Sequence, residues 1–301
     1  MSFPSPSHGA LCGESSPGDP SPGESSPGDP SPGESPPGAP PVFARLDRLF
    51  QGQLTECAGT LVLGEPPPGA VPLAHLLGDP NVLHDVLTRN HVHLEAYGSD
   101  LRASASMWHM RYMWIVLPYT MAALTLLRHA LPVHPSRMWL ELDAGAQPLR
   151  LHVTEPGEPA PDDDAQKRYD GLVHTHLGPM VEAFHAVAKL SPRIAWVNVA
   201  RHVQAVLDAA ARHPEFAQRA ASDRQALLDT PAWQPPDGAA FDNPLYQPPR
   251  IVRLPATPSE PARSIEVHRA CCLFYKLRKP RFCGGCPLKP ENLPPRRPRA
   301  P

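Results

Sequence analysis

The sequence predicts a mainly α protein of the α+β kind. A helical domain with a small antiparallel β element carries a cysteine-rich module at its C-terminal end and a disordered Pro/Gly/Ser tail at its N-terminal end. Three observations lead there. Apolar residues recur at helical spacing in segments that open on Asp79-Pro80 and Ser191-Pro192, pairs that suit a cap followed by the first helical residue. Leu149, Leu151 and Val153 alternate with Arg150, His152 and Thr154, which is strand periodicity. Of the 6 cysteines, those at 271, 272, 283 and 286 crowd together near the end of the chain.

Taken in order, residues 13–42 repeat GESSPGDPSP twice and then run into GESPPGAPPV. Such a segment buries too little apolar surface to offset the entropy lost on ordering, so 1–42 is expected to be disordered. Phe43, Leu46, Leu49 and Phe50 then fall at helical spacing, and GEPPPG at 64–69 is turn-rich. A helix is expected from Asp79-Pro80 through Val82, Leu83, Val86 and Leu87. A long apolar helical region from Ser99 to His129 should bend or break at Pro118, which lacks an amide donor. Residues 137–154, with the turn-like DAGAQP between two runs, read as a β-hairpin. Helices then cover Ala165 to Lys189, with an interruption at Gly178-Pro179, Ser191-Pro192 to His213, and Pro214 to Leu228. A Pro-rich connector, 231–261, leads to the cysteines. The division expected is 1–42 tail, 43–261 helical domain and 262–301 cysteine module with a basic tail.

The formal net charge is -2, so no overall field points to nucleic acid. That balance hides a local excess. Beyond Val267 lie Arg269, Lys276, Arg278, Lys279, Arg281, Lys289, Arg296, Arg297 and Arg299, against Glu291 alone. The opening MSFPSPSHGA has neither the basic start nor the apolar core of a signal peptide, which predicts a cytoplasmic protein, at most peripheral to the inner face of the membrane. Tyr112 to Leu127 is shorter than the roughly 20 residues of a spanning helix and reads as buried core. In a reducing compartment, crowded cysteines argue for metal rather than disulfides.

The motif is Cys-Cys, ten residues, Cys, two residues, Cys: CCLFYKLRKPRFCGGC. Four thiolates are the usual complement of a 2Fe-2S or 4Fe-4S cluster, and equally of structural zinc. Gly284 and Gly285 allow a tight turn between Cys283 and Cys286, because glycine tolerates positive φ. Neighbouring side chains diverge in a strand, so Cys271 and Cys272 converge only if the backbone is helical or turned there. Two irons suit such neighbours better than one small ion does, but spacing alone leaves iron-sulfur, zinc and unliganded thiols open.

HRACCLFYKLRKPRFCGGCPL resembles the C-terminal signature of the FhuF family of siderophore-iron reductases. The resemblance continues upstream in Ser106-Met107-Trp108 with Tyr112, in His176-Leu177-Gly178-Pro179-Met180-Val181, and in Ser191-Pro192-Arg193 leading to Trp196-Val197-Asn198. It covers roughly Leu73 to Leu288. It implies a 2Fe-2S cluster on Cys271, Cys272, Cys283 and Cys286 that passes one electron to Fe(III) in a siderophore complex and so releases Fe(II). Arg269, Lys276, Arg278, Lys279 and Arg281 would then favour the reduced centre and attract an anionic siderophore or an acidic donor. The alternative is a zinc-stabilised, non-redox module that handles or binds siderophores. No G-x-G-x-x-G follows an expected strand, so electrons would come from a ferredoxin or a flavin reductase. Histidines 91, 93, 174, 176 and 185 read as packed or surface residues rather than a second metal site. Trp108, Tyr112, Trp114 and Trp196 read as core rather than a siderophore-facing wall, and Cys12 and Cys57 as bystanders.

Overall fold

The computed structural model describes residues 42–293 apart from 48–49, 51–54, 56, 97, 161–163, 235–238, 257–260 and 278–281. All of the expected tail except Val42 lies outside the described residues. Helix α1 (Val42–Asp47) places Leu46 in the core, and Phe50 beyond it packs on Tyr119 with ring centroids 4.3 Å apart. Strands β1 (Leu61–Leu63) and β2 (Val71–Pro72) and the short helix α2 (Leu73–Gly78) follow. Helix α3 (Pro80–His93) begins as the sequence predicts: Asp79 Oδ1 accepts the Asn81 amide at 2.8 Å, and Leu83, Val86 and Leu87 are buried along one face.

Helix α4 (Arg102–Ala122) is the central element. It continues unbroken through Pro118 and widens only at Ala123–Leu127, a π-helical turn that ends on Arg128 with φ 48. The expected break at Pro118 is therefore displaced. A proline inside a helix costs about 3 kcal/mol, whereas each large apolar side chain fully buried contributes roughly 1.5–3 kcal/mol. Tyr112, Met113, Ile115, Val116, Leu117, Tyr119 and Met121 are all fully buried, so packing outweighs the missing hydrogen bond. Arg102–Leu127 is long and apolar enough to cross a membrane, yet 83% of its most apolar window is buried within the protein.

After β3 (His129–Ala130), strands β4 (Met138–Leu142) and β5 (Pro148–Val153) form the predicted hairpin, with Leu140 opposite Leu151. Asp143 Oδ1 closes it by accepting the amides of Gly145 and Gln147, both at 2.8 Å, the local bond that makes Asp a turn residue. Strand β2 joins β4 antiparallel and β1 lies parallel to β5, giving the order β1-β5-β4-β2. Strand β6 (Glu158–Pro159) pairs with β3. Gly157 before it has φ +85, and a Cβ there would sit 2.1 Å from the Ala130 carbonyl oxygen, so only glycine fits.

Helix α5 (Ala165–Asp170), a second π-helical segment (Gly171–Leu177) and α6 (Gly178–Ala188) make one continuous helical run. The irregularity precedes Gly178-Pro179 instead of falling on it: the Gly178 amide reaches back five residues to Val173, so the wider register carries the chain into the residue that has no donor. Helices α7 (Pro192–Ala210) and α8 (Pro214–Leu228) match the expectation closely. The Ser191 side chain makes no cap bond; its carbonyl accepts from Ile194 and Ala195. Strands β7 (Ala232–Trp233), β8 (Phe241–Asp242), β9 (Arg250–Leu254) and β10 (Arg263–Val267) occupy the stretch around the expected connector. β9 and β10 pair antiparallel with Val252 opposite Ile265, so the expected 261/262 boundary falls between two bonded strands.

Several motif residues turn out to be buried polar links. Tyr112 donates its hydroxyl to His176 Nε2 at 2.9 Å, while His176 Nδ1 donates to the Val133 carbonyl at 2.6 Å. Asn198 Nδ2 donates to Ser106 Oγ at 3.1 Å, tying α7 to α4. His109 has neither ring nitrogen bonded among the described residues. Burial lowers His109 and His176 to about 4 and His202 to about 3, against roughly 6.5 in the unfolded chain. Below about pH 6.5 the unfolded chain takes up protons that the folded state refuses. Stability is then intact above that pH and is lost as pH falls toward 4, by about 2 kcal/mol per histidine at pH 5. Denaturant unfolding at pH 7.5, 6 and 5 checks this. His109→Leu should remove one proton from the slope and raise stability at pH 7.5 by about 1–2 kcal/mol, because it deletes an unbonded buried group.

Candidate metal centre

The cysteine module folds against the helical domain through Leu273, which packs on the core, and through the turn Phe274–Lys276, which lies beside α4. Its shape comes from an unexpected residue. Leu273, just after the cysteine pair, has φ 65, and this left-handed bend turns the chain out of the pair and into the turn Phe274–Lys276. Neither Gly284 nor Gly285 has positive φ, which corrects the reason expected for that pair. Gly285 is there for close approach: a Cβ would sit 3.0 Å from His268 Nε2, and the Gly285 carbonyl accepts the His268 amide at 2.7 Å. The second cysteine pair is closed by the Cys286 amide bonding the Cys283 carbonyl at 3.0 Å, and Asn292 Nδ2 holds the Cys286 carbonyl at 2.9 Å.

All four thiols are free of disulfides. Cys272 and Cys286 are buried, and Cys271 and Cys283 partly so. Cys272 Sγ lies 4.0 Å from Cys283 Sγ. Two thiolates on one tetrahedral ion with metal–sulfur bonds of about 2.3 Å stand roughly 3.8 Å apart, so this pair has nearly the spacing of shared ligands. Backbone amides two residues on point at three of the sulfurs: Leu273 to Cys271 and Leu288 to Cys286, both at 3.4 Å, and Phe274 to Cys272. Amide bonds to sulfur favour the charged form. Hydrogen bonds from Cys271 and then Cys283 hold Cys272 well below the usual thiol range, and the two donors are pushed up by that same bond, with burial second. The donor set, four soft sulfurs with amide donors, fits an iron-sulfur cluster and fits zinc as well. Among the described residues no three of these side chains yet converge on a single point.

Two neighbours come from outside the motif. Arg201 of α7 acts favourably on the Cys272 and Cys283 thiolates. His268 is lowered to about 4 by burial first and by Arg201 next, with the Cys272 charge acting the other way. Spacing gave no signal for Arg201, which reads as one more charge on an amphipathic helix. Of the expected electrostatic contacts, Arg269 is exposed beside the module and Lys276 acts on Asp100, while Arg278, Lys279 and Arg281 lie outside the described residues. The histidines read as packed or surface residues divide between the two: His91 is buried and bonds Ser104 Oγ and the Gly98 carbonyl, while His174 and His185 are exposed, His174 edge-on to Trp233 and Phe241 and His185 bonded to the Leu190 carbonyl. His93 is exposed. Trp108 and Tyr112 stack in the core, Trp196 is partly buried, and Trp114 reaches the surface beside His202. Cys57 is buried in the core, and Cys12 lies outside the described residues.

No curated protein matches this chain. Among solved structures it resembles the ATP-bound aerobactin synthetase IucA and the aerobactin synthetase IucC, both from a hypervirulent pathotype of Klebsiella pneumoniae. Each is 14% identical over 69% of this chain, with TM-scores of 0.47 and 0.49. The chain spans about half the length of these two, 49% and 47%. Residues 106–254 match the family described as ferric iron reductase FhuF-like transporter. That match takes in α4, the hairpin and α5 to α8, with the buried links Ser106–Asn198 and Tyr112–His176, and by it the chain belongs to the FhuF-like family.

Proposed function

We propose that the protein is a ferric-siderophore reductase in which Cys271, Cys272, Cys283 and Cys286 hold a 2Fe-2S cluster. The observation that carries this reading is the gathering of four free thiols, three of them facing backbone amides, at the edge of a domain whose family is named for ferric iron reduction. When bound, such a cluster supplies one electron at a time, which converts one Fe(III) to Fe(II). Hard oxygen chelators hold Fe(II) weakly, so the change loosens the complex. The thiols must be deprotonated to bind, and the bonds converging on Cys272 prepare one of them. Amides aimed at sulfur and the nearby Arg201 charge favour added negative charge and so raise the reduction potential. An external ferredoxin or flavin reductase returns the electron, in the reducing cytoplasm, where such a centre survives.

Electron paramagnetic resonance of the anaerobically purified, dithionite-reduced protein tests the reading. A rhombic spin-one-half signal near one spin per chain is expected, lost on anaerobic mixing with one equivalent of a ferric hydroxamate as Fe(II) appears. A colourless protein with one zinc per chain would replace this reading with the zinc-stabilised module.

A further inference from the structure

A cavity of about 270 Å³ opens beside the cysteine module, between α7, the end of α8 and the stretch 245–249 that precedes β9. Arg201 and Gln204 of α7, Arg224, Asp229, Tyr246 and Arg269 form much of its wall. The three arginines are not equivalent. Arg224 is already committed, with Nη1 3.0 Å from Asp208 and Nε 3.8 Å from Asp229. Arg201 and Arg269 have no ion pair or hydrogen bond among the described residues, and Arg201 is half-buried. A partly desolvated guanidinium without an acceptor has lost hydration that an incoming anion restores, and a carboxylate matches its fork of donors. Arg201 also acts on the Cys272 and Cys283 sulfurs, so it forms a wall shared by the cavity and the metal centre. The site is concave, which suits a small molecule better than the flat face of a protein.

Resting on the reductase reading, we propose that this cavity receives a carboxylate-bearing ferric siderophore, with Arg201 and Arg269 taking its free carboxylates and setting its iron beside the Cys272 and Cys283 edge. The substrate class is then anionic ferric chelates in preference to neutral trihydroxamates. No electron moves on binding, so redox-inert gallium(III) complexes isolate this step.

Calorimetry with the oxidised, cluster-loaded full chain compares the gallium(III) complex of a citrate-derived siderophore with free carboxylates against that of a neutral trihydroxamate. The anionic complex is expected to bind about tenfold tighter or more, and Arg269→Gln to weaken it about tenfold while sparing the neutral one, the size of one charge-assisted hydrogen bond. Gln204→Trp, which fills the cavity from an exposed position and leaves its charges alone, should abolish binding of the anionic complex. Equal binding of the two complexes, or binding untouched by both substitutions, overturns the proposal. The two readings fail separately. Arginine-dependent gallium binding without oxidation of the reduced protein by the matching ferric complex sinks the reductase and keeps the cavity. Equal reduction of anionic and neutral ferric siderophores, with gallium binding that ignores charge, does the reverse.

Discussion

Cys272→Ser is expected to abolish the cluster and ferric reduction together, with iron and acid-labile sulfide falling below about one tenth of the wild-type content. Cys272 Sγ lies 4.0 Å from Cys283 Sγ, and Cys271, Cys283 and the Phe274 amide all favour its charged form. A serine hydroxyl stays protonated at neutral pH and is a hard, weak ligand where a soft thiolate is required. The loss should be specific. Cys57→Ser, in the hydrophobic core, should leave iron and sulfide content unchanged and cost about 1 kcal/mol of stability, as a buried hydroxyl replaces a thiol. A full cluster in Cys272→Ser, read from the visible spectrum and metal analysis of anaerobic protein, would falsify the ligand assignment.

How much of this was legible in the sequence depends on whether the cause was local. Asp79-Pro80 sets the start of α3 by itself, because a cap and a proline act on adjacent atoms. Leu149 to Val153 alternates because Leu151 and Val153 face the core while Arg150 is exposed, although His152 between them is also buried. The π-helical turns at 123–127 and 171–177 leave no such mark, since the wider register falls beyond Pro118 in one case and before Pro179 in the other. Strands β9 and β10 were hidden because their alternation is short: it is confined to Val252-Arg253-Leu254 and Ile265-Glu266-Val267, with only Val267 fully buried, and Ile251, 59% exposed, adds an apolar residue on the outer face. At the metal centre the cysteine spacing was informative, whereas the residue that bends the chain is Leu273 rather than a glycine. Arg201 was invisible because a helix distant in sequence delivers it, and only the folded domain brings that helix to the sulfurs.

Asp223→Ala is expected to lower the unfolding free energy by about 3–5 kcal/mol, the usual cost of removing one partner of a buried ion pair. Asp223 is 1% exposed and its partner Arg168 7%, and their N···O contact is 2.5 Å. Thr125 donates to the other Asp223 oxygen at 2.8 Å, and Tyr169 sits close enough to both that burial, and then the Asp223 charge, push its hydroxyl up. One carboxylate therefore ties α8 to α5 and to the π-helical turn that ends the central helix. Alanine removes the acceptor for two hydroxyls and leaves the Arg168 charge buried without it. Adding Arg168→Met to Asp223→Ala should recover a large part of the loss, because an apolar side chain of similar length has no charge to desolvate. Urea unfolding of the two single variants and the double variant measures this coupling. A loss below about 1 kcal/mol in Asp223→Ala, within the range of exposed pairs, would mean that the network is incidental to the fold. The centre lies elsewhere, so Asp223→Ala that remains folded should keep its cluster signal, whereas Cys272→Ser should lose the signal and keep the helices.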